Sequence, residues 1–490
     1  MRTRFLAFDL GAESGRAMLG TLRAGLLELR EVDRFANEPV REGVSLHWDL
    51  LRLWLHMQRA LEVVVSEGTT LDSMGVDTWG CDYGLLDERG ELLGNPFHYR
   101  DPRTDGVMQA VFARVPRARI YDITGIQFLS FNTLYQLYAA CQATPRVIAA
   151  AAGFGTIADI LNYWLTGELR AEFTNATTTQ MIDARTRSWA RDLLAELSIP
   201  TRFLPPLTEP GTVLGPLLPT ASRGLAGTPV VAPACHDTGS AVASVPAAGK
   251  RAFLSSGTWS LLGTEVSHPI ISSAAHAGNF TNEGGVGGTT RLLKNIGGLW
   301  MLQACRSAWA RRGQRYEYAE LIDAASDDRL AFAALFDPDD PVFLHPDDMV
   351  EAIAAYCART GQAAPASPAA YTRAILESLA FKYRIVAEAL QALTGVEIAE
   401  IQIVGGGSRN RLLNQFTADA TRRRVLAGPV EATALGNIAM QMLATGAVGS
   451  LAEARHIIER SFPVERFEPT NADRWDAHYA RFQESAAARA

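Results

Sequence analysis

The sequence has few cysteines, and their placement excludes two common ways of cross-linking a fold. Only five occur among 490 residues, an odd number, and no Cys-x-x-Cys pair is present. They are widely spaced: Cys81, Cys141, Cys235, Cys305 and Cys357. Disulfide frameworks and structural zinc sites need paired or closely spaced cysteines, so neither is indicated. The pattern fits a reducing compartment, and we expect a cytoplasmic protein.

Long apolar runs and an excess of positive charge are also missing. Arg2 and Arg4 are followed by only four apolar residues before Asp9, whereas a signal peptide needs about 7 to 15. No uninterrupted apolar run approaches the roughly 18 residues of a membrane span. The 46 Lys and Arg residues against 53 Asp and Glu give a net charge of -7, which leaves no global positive field. We therefore expect neither nucleic acid nor a membrane as a partner.

Several catalytic motifs are absent as well. The sequence contains no Gly-x-x-x-x-Gly-Lys-Ser/Thr run, and the glycines at 405–407 are followed by Asn410 where a dinucleotide fingerprint has its third glycine. It also contains no His-Glu-x-x-His or Gly-x-Ser-x-Gly. P-loop enzymes, standard Rossmann dehydrogenases, zinc hydrolases and serine-nucleophile enzymes therefore lack support.

The N-terminal residues predict a compact α/β arrangement. Residues 5–8 form a short apolar run, residues 11–15 a turn, and further strand candidates extend to Phe35. Asp49 then precedes apolar residues that recur at helical spacing up to Gly68. Residues 74–76 return as a strand. We expect an antiparallel meander, a crossover helix and a parallel strand.

A second segment of this kind begins about halfway along the chain. Residues 253–263 repeat the order of apolar strand, glycine turn and apolar strand seen at residues 5–14. An ancient duplication into two similar halves is the natural hypothesis, and chance similarity of two short segments is the alternative. Nearer the C-terminus, an apolar helical stripe stops at Gly395, a strand runs over 401–404, and helical composition resumes at Arg411. The intervening glycines therefore lie where α/β proteins commonly bind ligands.

Three glycine turns at predicted strand ends are candidates for binding one nucleotide. The first, residues 9–16, places Asp9 beside two glycines, so that backbone N–H groups can approach a phosphate while the carboxylate orients Mg²⁺ through water. The second is residues 255–258 and the third residues 405–408. The alternatives are a plain hairpin turn for the first and a helix-entry loop for the third.

Asp237 is the candidate catalytic carboxylate. It follows the apolar run 229–232 and precedes a small-residue segment able to form a helix. A carboxylate exposed there can accept the proton of an attacking hydroxyl, with His236 and Thr238 binding the substrate. The alternative is a helix N-cap, a position that Asp often fills.

Two further clusters combine polar and aromatic groups suited to a sugar or polyol. Residues 77–83 contain carboxylates, a hydroxyl and aromatic rings, and residues 294–300 with Gln303 offer amides at the start of a predicted helix. The alternatives are core filling for the first cluster and a simple helix entry for the second.

These motifs together resemble those of the FGGY carbohydrate kinases, within the actin, hexokinase and Hsp70 superfamily. The resemblance runs from Phe5 to about Gly446. Its specific stretches are DLGAESGR at 9–16, GVDTWGCDYGLLD at 75–87, HYRD at 98–101, CHDT at 235–238, SSGTWS at 255–260, NIGGLW at 295–300 and VGGGSRN at 404–410.

The resemblance implies an α/β protein with two ribonuclease-H-like, actin-like ATPase domains and an active-site cleft between them. The implied domains are 1–243, which binds sugar, and 244–490, which binds nucleotide. The implied contacts to ATP are Ala12, Glu13, Ser14, Gly15, Arg16, Thr258, Gln303, Gly405 and Gly406. The implied contacts to sugar are Gly80, His236, Asp237, Thr238 and Asn295. Asp237 would be the base, Mg²⁺ would accompany ATP, and Asp9 would hold the metal through water.

The implied reaction is transfer of the γ-phosphoryl group of Mg-ATP to the 1-hydroxyl of a ketose, L-rhamnulose. Two departures from the wider family favour this sugar over xylulose or glycerol: Ala12 replaces a Thr, and residues 132–136 lack a signature Lys. L-Fuculose and L-xylulose remain alternatives. So do an actin-like ATPase that needs no sugar and a noncatalytic sugar-binding regulator. Both a monomer and a homodimer remain open.

Overall fold

A computed structural model describes residues 2–246, 249–344 and 346–487. Its strands are β1 (Arg2–Leu10), β2 (Ser14–Arg23), β3 (Leu26–Ala36), β4 (Val40–Glu42), β5 (Ser45–His47), β6 (Ser73–Thr78), β7 (Tyr83–Leu86), β8 (Gly153–Thr156), β9 (Ala171–Glu172), β10 (Ile182–Asp183), β11 (Ser188–Trp189), β12 (Leu207–Thr208), β13 (Thr212–Pro216), β14 (Pro229–Ala232), β15 (Arg251–Ser256), β16 (Trp259–Val266), β17 (Thr281–Gly284), β18 (Thr290–Gly297), β19 (Glu400–Val404), β20 (Arg424–Ala427) and β21 (Glu465–Phe467).

The α-helices alternate with these strands along much of the chain. They are α1 (Leu50–Ser66), α2 (Val107–Arg114), α3 (Arg117–Thr124), α4 (Thr133–Ala143), α5 (Pro145–Ala150), α6 (Ile157–Thr166), α7 (Phe173–Thr178), α8 (Arg191–Glu196), α9 (Asp237–Ala243), α10 (Ser273–Ala277), α11 (Trp300–Arg311), α12 (Tyr318–Ala325), α13 (Met349–Arg359), α14 (Pro368–Thr394), α15 (Arg411–Thr421), α16 (Ala432–Ala444), α17 (Leu451–Ser461) and α18 (Ala472–Ala487). Among the described helices, none combines the length and the apolar character needed to cross a membrane.

The chain forms two compact units, each built from several segments. The first unit comprises residues 1–246, 265–292 and 432–462, and the second comprises residues 247–264, 293–431 and 463–490. The return of α16 and α17 to the first unit was not foreseen from the sequence.

The first unit is built on a sheet with the strand order β13-β14-β6-β1-β2-β3. The first three strands form an antiparallel meander, and β6 pairs with β1 in parallel. Helix α1 begins after Asp49, whose side chain accepts a hydrogen bond from the Arg52 amide, so the cap holds the predicted crossover helix in place. The predicted order of meander, helix and parallel strand is therefore confirmed.

The second unit repeats this order. Six strands of a larger sheet run β18-β16-β15-β19-β20-β21, with an antiparallel hairpin of β15 and β16 beside the parallel strands β19 and β20. Helix α14 ends at Gly395, which takes the left-handed conformation that glycine adopts without strain, and β19 follows as predicted. The shared strand order agrees with the duplication hypothesis.

Helix α16 closes the core of the first unit. Leu435, Ile438 and Ala439 pack with Phe5 and Ala7 of β1 in one buried cluster. Full burial of a side chain such as Leu435, Ile438 or Phe5 contributes about 1.5–3 kcal/mol to the free energy of folding. The C-terminal half of the chain thus stabilises the strand that begins the protein.

Gly436 sets how closely α16 approaches α9. A methyl group built on it would lie 1.7 Å from the carbonyl oxygen of Ser240, a backbone atom that cannot rotate away. We expect Gly436→Ala to lower the free energy of unfolding by about 1–3 kcal/mol or more, although Ala is the better helix former by about 1 kcal/mol. Thermal unfolding measures this, with Gly449→Ala as the control, since that methyl meets only a side-chain oxygen at 3.5 Å. Equal unfolding midpoints for the two variants would contradict the close packing.

Candidate active site

Three aspartates lie near one another at the edge where the parallel strands of the first unit end. Asp9 of β1 and Asp77 of β6 are direct partners in the parallel register. The Thr78 amide donates a hydrogen bond of 2.9 Å to the Cys235 carbonyl, which brings the segment after β14 to the same edge. Asp237 follows two residues later and interacts electrostatically with both other carboxylates. Parallel strands place their carboxyl ends together, which explains how residues so distant in sequence meet.

Asp237 is the most accessible of these carboxylates. It is the first residue of α9, and its side chain is 29% exposed, against 6% for Asp9. Its Oδ1 accepts hydrogen bonds from the Thr238 amide at 2.5 Å and the Thr238 hydroxyl at 3.1 Å. The N-cap position itself belongs to His236, so the N-cap alternative for Asp237 is wrong.

The surroundings of Asp237 make it a stronger base than an ordinary aspartate. Burial raises the pKa of its carboxyl, and the Asp9 carboxylate raises it further, while His236 acts in the opposite direction. The Nε2 atom of His236 lies 3.4 Å from the Asp237 Oδ1 atom. A carboxylate whose negative charge is partly desolvated accepts a proton more readily.

Asp77 lies deeper in the same cluster. Its Oδ2 accepts a hydrogen bond of 2.6 Å from the Asn437 side chain of α16, and its buried Oδ1 has no hydrogen-bond partner among the described residues. Burial, followed by the charge of Asp9, raises the pKa of Asp77 well above its usual range. Asn437 was missed in the sequence because its partner lies 360 positions away.

The turn between β1 and β2 carries the first predicted nucleotide contacts. Asp9 and Arg16 form a salt bridge of 2.8 Å, and the Gly11 amide donates to the Ser14 carbonyl at 2.9 Å. Asn37 holds this turn from outside, because its side chain donates to the Gly11 carbonyl and its amide to the Glu13 carbonyl. Ala12 is half-buried, Glu13 and Ser14 are exposed, and Gly15 is buried.

The acidic edge suits a hard cation that is shared with phosphates. Among the described residues, no three His, Cys, Asp or Glu side chains are arranged to hold a metal ion by themselves. Mg²⁺ usually keeps several waters and takes only one or two carboxylates. Asp9, with the unpartnered Asp77 Oδ1 beside it, offers such a donor set. The residues therefore fit a metal held through water.

Gly80 lies in the loop between β6 and β7, and buried groups support this loop. Asp82 accepts hydrogen bonds from the indole N–H groups of Trp48 at 2.6 Å and Trp79 at 2.9 Å, and from the side-chain NH₂ group of Gln136 at 2.9 Å. Burial raises the pKa of Asp82 to about 6. Trp79 is therefore a buried supporting residue, which agrees with core filling, the alternative interpretation of residues 77–83. Gly80 is half-exposed.

The other predicted site residues lie in the second unit. They are Thr258, Asn295, Gln303, Gly405 and Gly406. Of residues 294–300, Asn295 lies within β18 and Trp300 begins α11, so the predicted helix is confirmed and Asn295 lies in the strand before it. The amides of Leu299 and Trp300 donate to the carbonyls of Gly257 and Thr258, which joins the start of α11 to the β15–β16 turn.

The side-chain amide of Gln303 has a fixed orientation because Arg306 binds its oxygen. The Arg306 Nη1 atom donates to Gln303 Oε1 at 2.7 Å. A guanidinium group has no acceptor, so the oxygen of Gln303 faces Arg306 and its NH₂ group faces away. Gln303 can therefore donate a hydrogen bond to a ligand.

The glycine loop after β19 is both a helix entry and an exposed backbone surface. Gly405 has a φ of +83°, and a methyl group on Gly407 would lie 2.1 Å from the Ser256 hydroxyl. Gly406 has no heavy atom of the described residues within 4 Å of a methyl position. Asn410 then caps α15 and donates to the Tyr318 hydroxyl at 2.9 Å.

A buried ion pair supports the turn after Asn295. Lys382 of α14 lies 2.7 Å from Asp337 and 3.0 Å from Asp339, and the Gly297 amide donates to Asp339 at 2.8 Å. Burial alone would raise the pKa of Asp339, but Lys382 and Lys294 hold it below its ordinary value. In the sequence, the members of this cluster are isolated charges, and their spacing does not indicate that they meet.

Comparison with known proteins identifies the family of the chain. The N-terminal domain model of the FGGY family of carbohydrate kinases matches residues 4–243, and its C-terminal domain model matches residues 252–445. A rhamnulokinase from Bacteroides thetaiotaomicron is 43% identical over 99% of both chains. One from Pectobacterium carotovorum is 44% identical over 98% of this chain and 95% of its own.

Solved structures show the same fold at low identity. The xylulose kinase of Lactobacillus acidophilus is 16% identical, with a TM-score of 0.79 over 98% of this chain and 97% of its own. The glycerol kinase of Plasmodium falciparum is also 16% identical, with a TM-score of 0.77 over 99% and 97%. The expected two-domain α/β fold of the actin-like ATPases is confirmed. The chain belongs to the FGGY family of carbohydrate kinases.

Proposed function

We propose that the protein transfers the γ-phosphoryl group of ATP to the 1-hydroxyl of L-rhamnulose, giving L-rhamnulose 1-phosphate and ADP in L-rhamnose catabolism. The near-complete coverage by rhamnulokinases at 43% and 44% identity supports this sugar. The observation that carries the chemistry is the half-exposed Asp237 carboxylate at the acidic edge, with a raised pKa and a histidine beside it.

In this proposal Asp237 accepts the proton of the sugar hydroxyl as the phosphoryl group transfers. General bases of this kind contribute typically 10²- to 10⁴-fold in rate. Thr238 keeps one carboxylate oxygen in place through two hydrogen bonds. Gly80, His236 and Asn295 would contact the sugar, whose orientation relative to the nucleotide supplies much of the remaining acceleration.

The nucleotide would bind to backbone and side-chain donors of both units. We assign to it the turn of Ala12 to Arg16, the Thr258 turn, the donating amide of Gln303 and the exposed backbone at Gly405 and Gly406. Mg²⁺ is the proposed metal, with Asp9 holding it through water. When bound, the metal would neutralise charge on the phosphate oxygens.

The assignment of sugar binding and nucleotide binding to different parts of the chain is also a proposal. We assign sugar binding mainly to residues 1–243 and nucleotide binding mainly to residues 244–490. A cytoplasmic location is part of the proposal, and the scattered cysteines support it.

The raised pKa of Asp237 predicts how activity responds to acid. The base must be ionised to accept a proton, so activity is present above its pKa and is lost as the pH falls through it. Because the pKa lies above the ordinary value of 3.8, we expect the acidic limb of kcat/KM against pH to lie above that value. A profile that stays flat down to pH 3.8 in a folded enzyme would contradict this expectation.

A panel of free ketoses tests the proposed substrate. We expect kcat/KM for L-rhamnulose to exceed the values for L-fuculose and L-xylulose, because specificity is a ratio of these constants. A higher value for either of the other sugars would move the assignment to that sugar. Neither alternative is favoured by the relatives.

A further inference from the structure

His236 connects Asp237 to a buried ion pair that has no assigned role. The Nδ1 atom of His236 lies 3.2 Å from the Nη2 atom of Arg291 and 3.3 Å from the Oε2 atom of Glu283. Arg291 and Glu283 also approach each other at 3.3 Å. The opposite ring nitrogen, Nε2, faces Asp237 at 3.4 Å. These residues all belong to the first unit.

The charges around the ring determine which nitrogen carries a proton towards Asp237. Arg291 can only donate, so when the ring is neutral its Nδ1 accepts from Arg291 and Nε2 carries the hydrogen. When the ring is protonated, the Glu283 carboxylate 3.3 Å from Nδ1 offsets the charge of the ring, and Nε2 still carries a hydrogen. The remaining tautomer would place the Nε2 lone pair against the Asp237 carboxylate, which is repulsive. In both favourable states, His236 donates towards Asp237.

The ion pair is rigid and shielded from solvent. Arg291 is fully buried at 0% exposure, and Glu283 is 4% exposed. The Arg291 Nε atom donates to the Gly284 carbonyl at 2.8 Å, which fixes the guanidinium plane beside the ring. Buried charged pairs are rarely a net gain in stability compared with apolar residues of similar size. A contribution to folding stability therefore does not by itself explain why Glu283 and Arg291 lie beside His236.

We infer that Glu283 and Arg291 are positioning residues of the phosphoryl-transfer reaction, which act by holding His236 so that its Nε2–H orients the Asp237 base. The inference rests on the proposed function, since it concerns the same carboxylate. It extends the active site to Glu283 of β17 and to Arg291 of β18, neither of which the sequence motifs named as a candidate.

Glu283→Gln tests the inference directly. We expect kcat to fall about tenfold, less than the loss at the base itself, with little change in the KM for ATP, because a misaligned base slows transfer without removing nucleotide contacts. Glu377→Gln is the matched control. Glu377 forms a buried ion pair of the second unit, at 2.5 Å from Arg373, so its kcat should match the wild type. A kcat of Glu283→Gln within twofold of the control would overturn the inference.

A double-mutant cycle separates positioning from a purely structural role. If Glu283 acts through His236, Glu283→Gln should change kcat less than about twofold in a His236→Ala background. An equal tenfold loss in both backgrounds would overturn the inference. His236→Gln keeps an N–H donor near the Nε2 position, so we expect it to retain more kcat than His236→Ala, and equal losses would also count against the inference.

A second variant keeps the test informative if Glu283→Gln does not fold. Arg291→Lys keeps the charge but cannot bind both the Gly284 carbonyl and the ring with a planar fork, so we expect a similar loss in kcat. All ratios are taken with whichever ketose the wild type phosphorylates. A wild-type enzyme that phosphorylates no sugar would contradict both the proposed function and the inference. An active wild-type enzyme whose kcat is unchanged in Glu283→Gln and Arg291→Lys would contradict the inference alone.

Discussion

Asp237→Asn is expected to lower kcat by at least about 10²-fold while the protein still folds and binds sugar. The substitution keeps the size of the side chain and the oxygen that accepts hydrogen bonds from Thr238 at 2.5 and 3.1 Å, but it removes the ionisable group. Because the carboxylate is needed only while the hydroxyl loses its proton, the loss should appear in kcat rather than in sugar affinity. Steady-state kinetics with ATP and L-rhamnulose measure it, and thermal unfolding checks the fold.

Asp192→Asn is a matched control for this experiment. Asp192 also lies in the first turn of a short helix of the first unit, α8, so both substitutions remove a negative charge near a helix N-terminus. The control should keep full activity. A folded Asp237→Asn enzyme with the control's turnover would remove Asp237 from the mechanism.

Lys382→Met is expected to destabilise the protein by about 3–5 kcal/mol. Lys382 is buried, with a side chain 6% exposed, between Asp337 at 2.7 Å and Asp339 at 3.0 Å. Removing the ammonium group takes away the cation that lies between the two buried carboxylates. Asp339 also holds the Gly297 amide, so the turn after Asn295 should loosen and the KM for sugar or ATP should rise as well.

Lys250→Met provides the matched comparison in the second unit. Its ion pair with Glu397 has a similar geometry at 2.5 Å, but the two side chains are 68% and 63% exposed. Exposed pairs contribute about 0–1 kcal/mol, so its unfolding midpoint should stay close to that of the wild type. Equal unfolding midpoints for Lys382→Met and Lys250→Met would contradict the expectation that the buried Lys382 cluster stabilises the protein more than the exposed Lys250 pair.

The local elements of this fold could be predicted from the sequence because each depends on neighbouring residues. Asp49 and Gly395 mark helix boundaries through their own capping chemistry, and the strand before Asp9 follows from a short apolar run. Asp237 could be selected as a candidate because a carboxylate after an apolar strand lies at the edge of a sheet. The structure confirms these elements, and the catalytic assignment of Asp237 stays a prediction.

The supporting groups could not be predicted because their partners are distant in sequence. Asn437 binds Asp77 across 360 positions, and Arg291 reaches His236 across 55. For Arg291 and His236, the available signal in the sequence was a single Arg at the apolar start of β18. Such an Arg indicates a buried charge, but it does not indicate which residue the charge contacts. The helix predicted after residues 294–300 does begin at Trp300, but the strand that holds Asn295 was not predicted, because the hydrogen bonds of β18 join it to segments distant in sequence.

Consumption of ATP with and without a ketose tests the central claim most directly. A carbohydrate kinase of the proposed kind should form ADP at a negligible rate alone and rapidly when L-rhamnulose is added, with one sugar phosphorylated at its 1-hydroxyl for each ADP, as phosphorus NMR of the product can show. An actin-like ATPase would hydrolyse ATP equally well without sugar. Release of inorganic phosphate that is indifferent to added ketose would contradict the proposed reaction.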